Sequence, residues 1–359
     1  MGKWTNRAGR GGILVLLLLI AGTLPGAGFL RAIPLAVPSI VPGTAFDDLD
    51  EPNGLIVARA SRPAATPTAA AQQLILAELQ PKRAPVPLGP VTYVPILYYH
   101  YIRINPNPRD RVGFSLSTTP AMFRMQMQYL ADHGFHVISL HQAVVAIKNH
   151  SGLPSRPVVL TFDDGYADFY TTAIPVLQSH GFTATSFVIS GRMGWRGFMT
   201  PSQVVAADGM GFTIGAHTVD HVALAAQPPA RATWEMKQSK LMLEDLLGHP
   251  VLDFAYPYGS FNGYDMAQAR SLGFETAAST MSGSMHSAGQ LFELSRLRIG
   301  GGLPLSAFAR VVGGAPPTSA ELSGSGGSPA PSPSAAPAAT PSSAPSPTPG
   351  PSPSASPTP

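Results

Sequence analysis

The sequence predicts a single α/β domain of alternating strands and helices, and three observations predict it. Short apolar runs of strand length recur through the middle of the chain, separated by segments with helical spacing. Proline is concentrated elsewhere, with 23 of the 38 prolines lying before Val91 or after Leu322. Acidic and imidazole residues fall just after the strands. Residues 91–313, about 220 in all, suffice for one domain with a sizeable core, and the alternation implies parallel βαβ units. A closed or nearly closed barrel and an open doubly wound sheet both fit this pattern.

The elements follow in order. Tyr93–Tyr99 reads as a buried strand ending at His100. Pro120–His133 places Met122, Met125, Tyr129 and Leu130 at helical spacing, and Gly134 closes it. His136–Leu140 reads as a second strand and Gln142–Lys148 as a short helix. Pro157–Phe162 is a continuous apolar strand running into Asp163-Asp164-Gly165. A helix then extends through Gln178, with a stop at Gly181. Strand Ala184–Ile189, helix Pro201–Met210 and strand Phe212–Ala216 come next. Ala230–Leu247 is a long amphipathic helix, followed by strand Val251–Ala255, helix Tyr264–Leu272 and strand Glu275–Ser279. Strand Ser295–Ile299 and helix Leu305–Val312 complete seven or so strands.

The flanks differ in kind. Lys3, Arg7 and Arg10 precede an uncharged, largely apolar stretch over residues 11–30. That is the pattern of an export signal, and its length also suits a bilayer-spanning anchor. Residues 1–30 are therefore expected to be a signal peptide or signal anchor, with the rest of the chain exported and either secreted, membrane-anchored or held in the cell wall. Residues 31–90, rich in Ala and Pro, read as a linker with a short helix at Thr68–Leu79. Residues 314–359 read as a disordered tail, because after Leu322 only Ser, Pro, Ala, Gly and Thr occur. With 23 Lys+Arg against 20 Asp+Glu and no basic block, charge gives no suggestion of nucleic-acid binding. The chain has no cysteine, which excludes disulfides, a thiolate nucleophile and any sulfur-ligated zinc. A metal site must use His and carboxylate.

Asp163 and Asp164 follow one strand, His217 and His221 another, Tyr258 and Gly259 a third, and His100 ends the first. All fall at one end of the predicted sheet. Two imidazoles and a carboxylate bind a divalent ion while leaving positions open for water, as catalytic sites require. A second carboxylate that is not a ligand can accept the water's proton. A backbone N–H in a tight Gly-containing loop suits a developing oxyanion.

The segments Thr161-Phe162-Asp163-Asp164-Gly165, His217-Thr218-Val219-Asp220-His221 and Phe254-Ala255-Tyr256-Pro257-Tyr258-Gly259 resemble the signature motifs of the polysaccharide deacetylases, carbohydrate esterase family four, with the NodB-homology fold. The resemblance covers about Pro95 to about Val312. It implies a distorted (β/α)7 barrel that removes acetyl groups from N-acetylglucosamine polymers, or O-acetyl groups from xylan. It also implies that Asp163 is the general base, that Asp164, His217 and His221 hold a divalent metal such as Zn2+, and that the Tyr258 N–H assists the oxyanion. The partner expected is an acetylated polysaccharide, met by a monomer. Together with Leu97-Tyr98-Tyr99-His100, the third motif resembles the exported branch that acts on poly-N-acetylglucosamine. The sequence departs from the family in two places. The arginine that steadies the base is missing from the third motif, where Ala255 or a neighbour stands. The late Leu-x-His that supplies the general acid is replaced by Ser295-Arg296-Leu297-Arg298-Ile299. A non-catalytic carbohydrate-binding relic would explain both departures but not the intact ligand set. Barrel closure would set the first strand beside the last, which makes His100 the candidate acid, with His286 as the alternative.

Overall fold

The computed structural model describes residues 89–324, together with residues 82, 83 and 85. The expected signal or anchor, nearly all of the linker with its Thr68–Leu79 helix, and the tail from residue 325 onward lie outside the described residues. Among the described residues no helix is long and apolar enough to cross a membrane.

Seven parallel strands form a closed barrel. They are β1 (Ile96–Tyr99), β2 (Pro157–Phe162), β3 (Thr185–Val188), β4 (Thr213–Ala216), β5 (Asp253–Ala255), β6 (Thr276–Ser282) and β7 (Leu294–Arg298). Neighbours follow chain order from β1 to β6, and β7 closes the ring between β6 and β1. Tyr99 pairs with Phe162, Phe254 with Ala216, and Leu297 with Leu97. The register shifts between β6 and β7, the irregular seam of the barrel. Closure excludes the open doubly wound sheet. It also leaves no place in the ring for the strand expected at His136–Leu140: only His136–Val137 is extended, pairing with the entry end of β2 outside the barrel.

The helices pack outside the ring: α1 (Pro120–Asp132), α2 (Leu140–Asn149), α3 (Ile174–Ser179), α4 (Pro201–Gly209), α5 (Pro229–Leu247), α6 (Gly263–Ser271) and α7 (Leu305–Val311). Their starts are written locally. Thr119 caps α1 by accepting from the Met122 N–H, with Pro120 in the first turn. Ser139 with Gln142, and Thr200 with Gln203, form reciprocal capping boxes for α2 and α4. Every residue of β2 is buried, as a strand covered on both faces requires. Between ring and helices, Tyr99, Phe123, Phe162 and Phe169 pack with centroids 4.8 to 5.9 Å apart.

The compact part runs past the boundary expected at Gly313. Tyr129 donates to the Ala315 carbonyl, a short helix forms at Ser319–Ser323, and Glu321 meets His133, the residue that ends α1, at 2.7 Å. The sequence composition hid this, because residues 314–324 look like the low-complexity segment they precede.

Candidate active site

The loop after β2 aims two adjacent carboxylates in different directions. The Asp163 N–H still bonds the Tyr99 carbonyl at 2.9 Å, so this residue keeps its place in the sheet. Asp164 then takes φ 74°, and Gly165 lies so close to β3 that a Cβ would meet Val188 at 3.1 Å. Asp163 consequently faces the barrel interior while Asp164 faces the loops after β4 and β5.

The loop after β4 carries the imidazoles. His217 is held to β3 by its N–H on the Val188 carbonyl at 3.0 Å. Thr218 and His221 both have positive φ, 63° and 58°. The turn is tied inside by the His221 N–H on Thr218 Oγ1 at 2.9 Å, and outside by Glu235 of α5. The fully buried Glu235 accepts the N–H groups of Val219 and Asp220 at 2.8 and 3.0 Å, and Arg231 balances its charge at 2.6 Å.

Ligand atoms of Asp164, His217 and His221 all lie within 4.8 Å of one another. Asp164 Oδ1 is 3.1 Å from His221 Nε2 and 3.4 Å from His217 Nε2. The donor chemistry fits a divalent ion. His217 Nδ1 lies 2.7 Å from the Ala255 carbonyl, which can only accept, so the proton sits on Nδ1 and Nε2 offers its lone pair. His221 Nδ1 lies 2.9 Å from the Tyr258 hydroxyl, which can accept from Nδ1–H and leave Nε2 free as the ligand atom. Burial pulls His221 below the usual imidazole range despite the Asp164 carboxylate, favouring the neutral ligand form. Burial opposes ionisation of Asp164 too, but the facing imidazoles hold its carboxyl well below the usual range. Two imidazoles and one carboxylate suit zinc.

Asp163 has a different partner. Arg296 of β7, fully buried, donates to both its carboxylate oxygens at 2.7 Å, to Thr161 Oγ1 at 3.1 Å and to the Ser279 carbonyl at 2.9 Å. Its guanidinium lies 4.4 Å from the centroid of Tyr98. Burial alone would raise the Asp163 carboxyl, and the guanidinium outweighs it, holding the group below the usual range. This corrects the sequence reading, which looked for the steadying arginine around Ala255. The arginine is present, on the last strand.

His100 is 3% exposed, with its ring 5.8 Å from Tyr98. It follows β1, which does lie beside β7. Its charged form would favour ionisation of both aspartates, after the larger effects of burial and their own partners. His286 lies elsewhere, in the pair Met285–His286 with Thr92–Tyr93, and its Nε2 is bound to the Val94 carbonyl at 3.0 Å. Burial pushes it down to about 4. It is not poised to swing into the site. Tyr258 has φ 59°, and its hydroxyl orients His221, a contact the motif alone did not disclose.

The ring of parallel strands, with charged side chains gathered where the strands end, defines a (β/α)-barrel enzyme. The family model described as polysaccharide deacetylase matches residues 150–277. The Streptococcus pyogenes deacetylase PplD, solved in complex with acetate, superposes with a TM-score of 0.58 at 30% identity, covering 62% of this chain and 98% of that one. The putative polysaccharide deacetylase YxkH of Bacillus subtilis is 29% identical over 61% of this chain and 76% of its own length. The poly-beta-1,6-N-acetyl-D-glucosamine N-deacetylase of Escherichia coli K12 is 38% identical over 69 residues, 19% of this chain and 10% of that protein. This chain belongs to the polysaccharide deacetylase family, whose members hydrolyse N-acetyl amide bonds.

Proposed function

We propose that this chain is a metal-dependent deacetylase of an N-acetylglucosamine polymer outside the cytoplasm. The observation that carries the reading is the pairing of Asp164, His217 and His221 within 4.8 Å with a neighbouring, oppositely aimed Asp163. The substrate class follows the Escherichia coli relative, and the location follows the apolar run after Arg10.

Asp164, His217 and His221 would hold the ion. When bound, zinc would acidify a water and polarise the acetyl carbonyl. Asp163 accepts the proton of the attacking water at a carboxylate oxygen, with Arg296 fixing the carboxylate plane. The Tyr258 N–H donates to the oxygen that gains charge. His100 returns a proton to the departing amine, which an amide requires and an activated ester hardly does.

The test is acetate release from N-acetylglucosamine oligomers and from acetylated xylan, before and after chelation and zinc readdition. Release from the first substrate alone, lost on chelation and restored by zinc, is expected. Release from xylan alone would make the chain an O-acetyl esterase, and release from neither would mark a binding relic. In the same assay His100→Ala should lower amide turnover about 100-fold or more while sparing an activated acetyl ester. Parental amide rates would make His100 a packing residue.

A further inference from the structure

An aromatic ridge edges the site where the loops after β1, β2 and β3 meet. Tyr101 stacks on Tyr166 with centroids 3.6 Å apart and planes at 20°, and Tyr166 comes two residues after Asp164. Phe198 continues the ridge, 5.0 Å from Tyr166 and joined to it by an antiparallel bridge. A guanidinium closes each end. The Arg103 carbon lies 3.3 Å from the Tyr101 centroid, and the Arg192 carbon 5.6 Å from that of Phe198. Arg192 also donates to the carbonyl of Asp220 at 3.4 Å, next to His221, and Gly191 bonds the Val219 carbonyl. The Arg192 end of the ridge thus borders the metal-ligand cluster, and Tyr166 in its middle lies two residues from Asp164.

These two arginines lack what the other paired cations have. Arg296, Arg231 and Lys240 each lie within 2.8 Å of a carboxylate oxygen. Among the described residues Arg103 and Arg192 make no ion pair; Arg103 reaches only Ser117 Oγ, at 3.5 Å. Burial pushes the Asp168 carboxyl up to about 6, and the Arg103 charge is among the groups that pull it back, without an ion pair forming between them. Half-buried guanidiniums stacked on rings keep their edges free for a planar or tetrahedral oxyanion. The ring faces are already covered, by the guanidiniums and by one another, so a neutral glycan would leave both charges idle.

We infer that the ridge selects an anionic N-acetylated glycan, in which a carboxylate or phosphodiester near the acetamido sugar is held by Arg103 and Arg192. The inference rests on the deacetylase reading for what happens to the bound glycan, and on the ridge alone for binding. The shared chemistry is an oxyanion on the sugar chain. Two substrate arms, one bearing sugar carboxylates and one bearing phosphodiesters, separate its sources.

The experiment uses the full chain, its Arg103→Gln and Arg192→Gln variants and the double variant. Binding by calorimetry and acetate release are measured on neutral, carboxylate-bearing and phosphodiester-bearing N-acetylglucosamine oligomers of equal length. The parent should favour one anionic oligomer over the neutral one by about tenfold or more in Kd and kcat/KM, as charge-assisted hydrogen bonds allow. The preference should shrink as salt rises and collapse toward unity in the double variant. Equal treatment of neutral and anionic oligomers by the parent, or an undiminished preference in the double variant, overturns the inference. Binding of an anionic oligomer through both arginines without any acetate release would break the deacetylase reading and leave the ridge standing.

Discussion

The two ends of the barrel use left-handed backbone differently. Behind α5 and α6 glycine takes it, Gly248 at φ 77° and Gly273 at φ 80°, each with open space around a would-be Cβ. His150 and Arg156 nevertheless take it ahead of β2, at φ 53° and 50°. Where strands hand over to the site, Asp164, Thr218, His221 and Tyr258 take φ between 58° and 74° although each carries a side chain. L residues are strained there by roughly 1 kcal/mol or more. Charge divides the same way. His249 and Asp208, at the return end, form an exposed pair at 3.0 Å, whereas Asp163 and Arg296 are sealed from water. At the site end, strain and buried charge persist on the residues whose side chains the site uses.

The largest break in that comparison should come from His217→Ala. If the three proposed ligands hold the metal none is spare, so affinity for zinc should fall by more than the roughly 100-fold that loss of a supporting residue causes. Elemental analysis of the purified variant checks it, and full metal loading would remove His217 from the ligand set.

Next comes the buried ion pair. Asp163→Asn should keep the metal and lose turnover by about 10²–10⁴. Arg296→Met should leave the Asp163 charge buried without its partner and cost about 3–5 kcal/mol in denaturant unfolding. Combining the two removes both charges, so the double variant should be more stable than Arg296→Met alone. If the two losses simply add, the pair is not coupled.

The strands were legible because parallel strands buried on both faces must be apolar throughout, as Pro157–Phe162 is, and because αβ turns announce themselves with glycine. The motif residues were legible because each βα loop is contiguous in sequence, so Asp163-Asp164-Gly165 or His217 to His221 can be read in one glance. Arg296 was not legible, since its partner lies 133 residues away and nothing in Ser295-Arg296-Leu297 says which face of the strand looks inward. A charged residue inside a short core strand is the signal that could have found it. Glu235 was not legible either: it shares a helix face with the buried Ala232, Met236, Ser239 and Leu243, but an Arg231 four residues before it is equally the pattern of an exposed pair. His136–Val137 misled because two extended residues at the mouth of β2 carry the local pattern of a ring strand without its length.

A smaller effect should follow from Tyr258→Phe. The ring and the backbone at φ 59° remain, and only the hydroxyl on His221 Nδ1 is lost. Zinc affinity should fall about 10–100-fold, as removal of a group that orients a ligand does, with the melting temperature nearly unchanged. Unaltered zinc affinity would show that the backbone strain at Tyr258 serves the N–H alone.

The smallest effect should come from the return end, and it tests the contrast from the other side. Gly248 is the left-handed cap of α5, its N–H bonding the Glu244 carbonyl at 2.8 Å, and nothing lies within 4 Å of the position a Cβ would take. Gly248→Ala therefore meets no steric collision, and its whole cost is the backbone conformation, roughly 1 kcal/mol. For a domain of this size that should lower the melting temperature by about 2–4 °C. Gly248 lies at the opposite end of the strands from the site residues, so metal content and acetate release should match the parent. A loss of activity larger than the loss of folded protein would mean that the two ends are mechanically linked, and that strain at Asp164, Thr218, His221 and Tyr258 depends on the turns that close the helices behind them.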